Sequence, residues 1–170
     1  MIYGMGATQM RVIVLLVAVL MGLTAAPAQA AGTSMTRLQI LARAAKWLTA
    51  YDGHQVPYSQ TQYFDGYRQD CSGYVSMAAA LPKPGPITID LFDVYTKPVA
   101  YRDMQPADLV IDKIGDDANG RHVVIFEKWY DPTKTSYWAY EQRGGYGTDH
   151  RVLSYGLNGG EYQPRRFNNF

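Results

Sequence analysis

The chain has 170 residues, with 16 basic against 15 acidic side chains, a single cysteine and 14 tyrosines. A balance this close to neutral leaves no electrostatic footprint for nucleic acid. One cysteine excludes an internal disulfide.

Residues 1–30 read as a signal peptide. Arg11 is their only charge, residues 12–23 form an apolar stretch, and Ala28-Gln29-Ala30 has the small-residue pattern of a cleavage site. An apolar stretch of about a dozen residues suits a secretion signal and is short for a membrane span. The expected product is a secreted chain starting near Ala31. Residues 31–170 then make one domain of ordinary size, expected as a monomer, with no repeat and no further membrane-spanning run.

A first helix is predicted from a cap at Ser34 or Thr36 to about Ala50. Leu38, Ile40, Leu41, Ala44, Ala45 and Leu48 recur at helical spacing, Trp47 widens the stripe, and Asp52-Gly53 stops it. Residues 55–69 are polar and tyrosine-rich and read as a long ordered loop. A second helix should start at Cys71 or Ser72 and run to about Leu81, where Pro82, Pro84 and Pro86 forbid its continuation. Residues 87–95 read as irregular or as a short helix. Strands are expected near 99–102, 109–112, 121–129, 136–142, 151–157 and 162–167. Val123, Val124, Ile125 and Phe126 form an unbroken apolar run, the pattern of a strand covered on both faces. Helices first and strands after give an α+β domain with an antiparallel sheet.

Cys71 falls in the first turn of the second helix, where free amide groups and the helix dipole favour a thiolate and could hold an oxyanion. A free thiol in an oxidising compartment is a liability unless it is used. Gly73 permits a close approach of substrate or backbone, and Ser72 serves either as a helix-start residue or as a substrate hydrogen-bond donor. Of His54, His122 and His150, only His122 opens a buried strand, and an imidazole there can reach a helix end packed above the sheet. If the strands 121–129 and 136–142 pair as a hairpin, Glu141 falls roughly opposite His122 and can orient its ring. A one-residue bulge would put Gln142 there instead. No zinc, calcium or phosphate-loop spacing is present, so no metal and no cofactor is expected.

Asp70-Cys71-Ser72-Gly73-Tyr74-Val75 resembles the nucleophile segment of the NlpC-type cysteine peptidases, a papain-like superfamily of bacterial wall hydrolases. Val56-Pro57-Tyr58 looks like that family's upstream tyrosine segment. Gln105-Pro106-Ala107-Asp108-Leu109-Val110 resembles its Pro-Gly-Asp-Leu strand start, with Ala107 for the glycine. Arg121-His122-Val123-Val124-Ile125-Phe126 is similar to its Gly-His-Val-Gly-Ile strand. The four segments lie in order over residues 56–142. Tyr140-Glu141-Gln142 departs from the family's usual third histidine and is closer to the glutamate of the related CHAP amidases. The 126–142 region resembles a secreted actinobacterial branch, and the proline-rich insert after Leu81 is atypical.

The resemblance implies a papain-like fold, with the Cys71 helix on an antiparallel sheet of about five or six strands. It implies attack by Cys71, proton transfer by His122 and orientation by Glu141, cleaving an amide of peptidoglycan stem peptides through a thioester. Tyr58, Asp70 and Ser72 match positions that hold a free amino end, and Arg68 would steady Asp70 or meet a substrate carboxylate. Two other readings use the same residues: a tyrosine-lined binding module without catalysis, and an acyl-transfer or toxin-like enzyme.

Overall fold

In the computed structural model, Met1 and residues 35–115 and 120–170 are described. The signal peptide expected over 1–30 lies, apart from Met1, outside these residues. Among the described residues no helix is long and apolar enough to cross a membrane.

The architecture is α+β. Helix α1 (Arg37–Lys46) and helix α2 (Cys71–Ala78) flank a two-stranded hairpin of β1 (Ser59–Phe64) and β2 (Tyr67–Gln69). After α2 come a single helical turn α3 (Thr88–Asp90), a π-type turn (Leu91–Tyr95), β3 (Thr96–Pro98) and a 3₁₀ turn (Tyr101–Asp103). Strands β4 (Leu109–Asp112), β5 (His122–Trp129), β6 (Tyr137–Arg143), β7 (Gly147–Leu153) and β8 (Gln163–Phe167) complete the chain. The main sheet is six-stranded and antiparallel throughout, in the order β3-β8-β4-β5-β6-β7.

Thr36 caps α1 in a reciprocal box: its hydroxyl accepts from Gln39 N at 3.3 Å and its amide donates to Gln39 Oε1 at 2.9 Å. The helix stops at Lys46, short of the expected Ala50. Its next three amides bond three residues back, which tightens the chain into turns. Buried Trp47 anchors that turn against Phe64 and Tyr74, both at 5.5 Å between ring centroids.

The expected loop over 55–69 contains the β1–β2 hairpin. Asp65 and Gly66 both have positive φ, 51° and 78°, the signature of a two-residue turn whose twist matches its strands. Helix α2 ends at Ala78 rather than Leu81, because Ala80 at φ 53° turns the chain before the prolines. Arg43 of α1 donates from Nε and Nη2 to the Met77 carbonyl in the last turn of α2, at 3.0 and 2.6 Å, and ties the helices together.

The strand expected at 99–102 is absent there. The chain pairs earlier, as β3, and then coils through the 3₁₀ turn. The strand placed at 151–157 lies at Gly147–Leu153, because Arg143 pairs with Gly147 across a tight three-residue turn.

The sheet is covered on both faces. One face meets the helices through Val123, Ile125, Leu109 and Ile111 against Tyr74, Val75, Ala78 and Leu91. The other packs Val110, Val124, Phe126, Tyr137 and Ala139 under Met104, Tyr155 and Tyr162. Val123 to Phe126 are at most 1% exposed, and each such apolar side chain contributes roughly 1.5–3 kcal/mol on burial. The buried Asp108 carboxylate at the start of β4 accepts from Arg37 of α1 and Arg166 of β8. One charge cluster thereby joins helix to sheet.

Candidate active site

Asp70 is the N-cap of α2. Its Oδ1 accepts from Gly73 N at 2.6 Å and from Ser72 Oγ at 3.0 Å, which starts the helix at Cys71. Arg68 fixes the other oxygen, Nε to Oδ2 at 2.7 Å. The same guanidinium donates to Ser72 Oγ and to the carbonyls of Gly85 and Pro86, so the proline-rich insert is what holds Arg68 in place. Gly73 has a steric reason: a Cβ there would stand 2.2 Å from the Arg68 carbonyl oxygen. The Arg68 backbone makes this close approach.

Cys71 is 6% exposed, and its Sγ lies 3.9 Å from Thr88 Oγ1 and 4.0 Å from the Arg121 carbonyl. Two polar groups flank the sulfur on the edge of the helix-side core, and Cys71 lines a 240 Å³ hollow with Tyr58, Asp70 and Thr88.

His122 is the first residue of β5. Its Nε2 lies 2.8 Å from Glu141 Oε2, which leaves Nδ1 on the other side of the ring. Burial works against a charged ring, but the hydrogen bonds and charges of Cys71 and Glu141 outweigh it and push His122 up to about 9. Glu141 is fully buried and also accepts from Arg151 Nε at 2.5 Å. Burial raises its carboxyl, the bonds to His122 and Arg151 lower it more, and the net shift is downward. Arg151 continues the chain to the Tyr155 hydroxyl at 2.9 Å. His122, Glu141, Arg151, Tyr155 and Tyr162 line a second hollow of 630 Å³. Tyr58, Gln60 and Arg121 line both hollows, so the two are halves of one cleft.

The ladder sets Glu141 opposite Val124, not opposite His122 as the hairpin count suggests. Val124 and His122 share a face, so the carboxylate reaches the ring diagonally. Gln142 turns to the other face. It is fully buried, donates to the carbonyls of Val56, Pro57 and Gln69 at 3.0–3.2 Å, and accepts from Thr148 Oγ1 at 2.7 Å. It clamps the segment before Tyr58 against the residue before Asp70. Tyr58 stands over the shared wall of the cleft, and its hydroxyl accepts from Gln60 Nε2 at 3.3 Å. Burial and the charges of Cys71 and Asp70 push its phenol up, against that hydrogen bond.

Sequence reasoning missed Arg151. Its signal was the β6–β7 hairpin: Ala139 faces Arg151 and Glu141 faces Asp149, which puts Arg151 diagonally beside Glu141 on one face. Of the other histidines, His150 stacks on Tyr140 at 4.1 Å and bonds Glu127 at 3.1 Å, while His54 sits in the turn after α1. Among the described residues no group of three or more His, Cys, Asp or Glu side chains could hold a metal ion.

The arrangement can deliver a sulfur nucleophile, hold a proton beside it and restrain the ring that carries the proton. Compared with protein-family models and with curated proteins, the chain matches none.

Proposed function

We propose that this chain is a secreted thiol amidohydrolase on a papain-like fold of the NlpC type, acting on amide bonds of peptidoglycan stem peptides. The observation that carries the reading is that Cys71, at the start of α2, and the line from His122 to Glu141 and Arg151 lie in the two joined halves of one cleft. The sulfur at the start of α2, its proton already held on His122, attacks the substrate carbonyl. The carbonyl oxygen gains the electron pair and faces the first amides of the helix. The C–N bond breaks as His122 gives its proton to the leaving amine. A water then attacks the thioester, His122 takes its proton, and the sulfur leaves. Glu141 keeps the ring in the tautomer and orientation that both steps use, and Arg151 keeps Glu141 in place.

Mass spectrometry of muropeptides before and after incubation with residues 31–170 tests the reading. Cleaved products are expected from the native protein and none from Cys71→Ser. Cleavage by Cys71→Ser at the native rate overturns it. An added amine appearing in the product would show acyl transfer in place of hydrolysis, and slow alkylation of Cys71 near neutral pH would indicate a binding module.

A further inference from the structure

Among the described residues, the charges that line the cleft are paired off with one exception. Asp70 is neutralised by Arg68, with both of its oxygens engaged inside the protein. Glu141 is shared between His122 and Arg151. Arg143 pairs with Asp149, Nε to Oδ2 at 2.8 Å, and stacks on Tyr146. Arg121 remains. It lines both halves of the cleft, its backbone carbonyl lies 4.0 Å from the Cys71 sulfur, and among the described residues no carboxylate pairs with its side chain. Arg151 spends Nε and Nη2 on Glu141 and Tyr155, and among the described residues no acceptor meets its Nη1. The wall segment that resembles Gly-His-Val-Gly-Ile therefore carries a cation in place of the glycine, next to the reacting groups.

We propose that Arg121, with Arg151 behind it, is a carboxylate-binding subsite that selects substrates whose leaving amine bears a carboxylate close to the scissile amide. The side of the cleft follows from the mechanism. His122 protonates the departing nitrogen, so the amine half of the substrate lies in the His122 half of the cleft, which Arg151 lines and which Arg121 shares with the Cys71 half. On the Cys71 side the Asp70 carboxylate accepts from Arg68, Ser72 and Gly73, so its charge is balanced within the protein. A guanidinium fork fits a carboxylate with two parallel hydrogen bonds, and a partly enclosed site strengthens them.

This inference rests on the amidohydrolase reading for the direction of the substrate, but its test is a binding experiment. The probes are N-acetylalanine, an amide whose amine half ends in a carboxylate, and N-acetylalaninamide, its neutral counterpart. They are titrated into Cys71→Ala protein, with affinity read from the arginine side-chain NMR signals. We expect the carboxylate probe to bind roughly tenfold tighter or more. The ratio should fall to about one in Cys71→Ala/Arg121→Gln and recover in part in Cys71→Ala/Arg121→Lys. Unaltered circular dichroism spectra would show that all three proteins are folded. Equal binding of the two probes, no binding of either, or a preference that survives Arg121→Gln overturns the proposal. Wall-peptide cleavage without the preference removes the subsite and leaves the amidohydrolase. The preference in a protein that cleaves nothing removes the amidohydrolase and leaves the subsite.

Discussion

The unpaired residue Glu127 of β5 decides which way Glu141 points on β6. From the turn, Trp129 pairs with Tyr137 and Lys128 with Trp138, a register that would set Val124 opposite Gln142. The bulge at Glu127 shifts the ladder by one, and Val124 meets Glu141. Without that extra residue the carboxylate would face the helices, and the amide would stand beside His122.

Glu141→Gln should therefore change the acid–base behaviour of the site. The carboxylate helps to raise His122 from 6.5 to about 9, so the ring carries its proton at neutral pH. Activity that needs the imidazolium should persist through neutrality and fall as pH rises through about 9. In Glu141→Gln that basic limb should move down toward 6.5, with kcat/KM at neutral pH lowered about a hundredfold. The same raised group contributes stability that is fully present below 6.5 and is lost as pH climbs through about 9. A pH–rate profile for the two proteins checks the shift, and an unmoved limb would count against Glu141 as the orienting group.

Gln142→Ala tests the division of labour between neighbours. The amide reaches the buried carbonyls of Val56 and Gln69, the Pro57 carbonyl and Thr148, so its loss strands acceptors and opens a void. A stability loss of about 2–4 kcal/mol is expected from urea unfolding. The pH–rate profile should keep its basic limb near 9, since His122 keeps Glu141. A shifted limb with unchanged stability would reverse the two roles.

Gly73→Ala should be far worse than its size suggests. The added methyl meets the Arg68 backbone carbonyl at 2.2 Å, and neither partner is the flexible end of a side chain. The start of α2 would have to move and take Cys71 with it. We expect a loss of about 1–3 kcal/mol, with slower alkylation of Cys71, measured together by thermal unfolding and iodoacetamide kinetics. Native alkylation kinetics would show that the strain is absorbed elsewhere.

Much of this site is legible in the sequence because its chemistry is local. Asp70 caps the helix it precedes, and the run from Val123 to Phe126 marks a strand buried on two faces. What lies between elements is less legible. Asp65-Gly66 is a hairpin signal, but polar strand residues around it hide the pairing: Gln60 and Gln62 break no apolar alternation because β1 is largely exposed. The strand expected at 99–102 fails because Tyr101 serves the second core from a 3₁₀ turn, and tertiary packing overrides its β propensity. The placement of β7 depends on where Gly147 turns, and a strand shifted along the chain hides Arg151. The face taken by Glu141 rests on one bulge, which the hydrophobic pattern does not mark.

Asp108→Ala probes the charge cluster that sets the helices over the sheet. The carboxylate is fully buried, with Arg37 Nη1 at 2.9 Å, Arg166 Nε at 2.9 Å and Nη2 at 2.7 Å, and the Gln105 amide at 2.8 Å. Hydrogen bonding to Asp108, helped by its charge, raises Arg166 against burial, so removing the anion leaves a cation that cannot shed its proton. Breaking a buried pair by deleting one partner costs about 3–5 kcal/mol. Asp108→Asn keeps the shape and the Gln105 bond and should recover part of that loss. The cluster holds α1 through Arg37, and α1 holds the end of α2 through Arg43. The helix that presents Cys71 should therefore loosen with it, seen as faster amide hydrogen exchange over 71–78 at a denaturant concentration where the protein is still folded. Protection of those amides equal to the native protein's would show that α2 is positioned by the sheet alone.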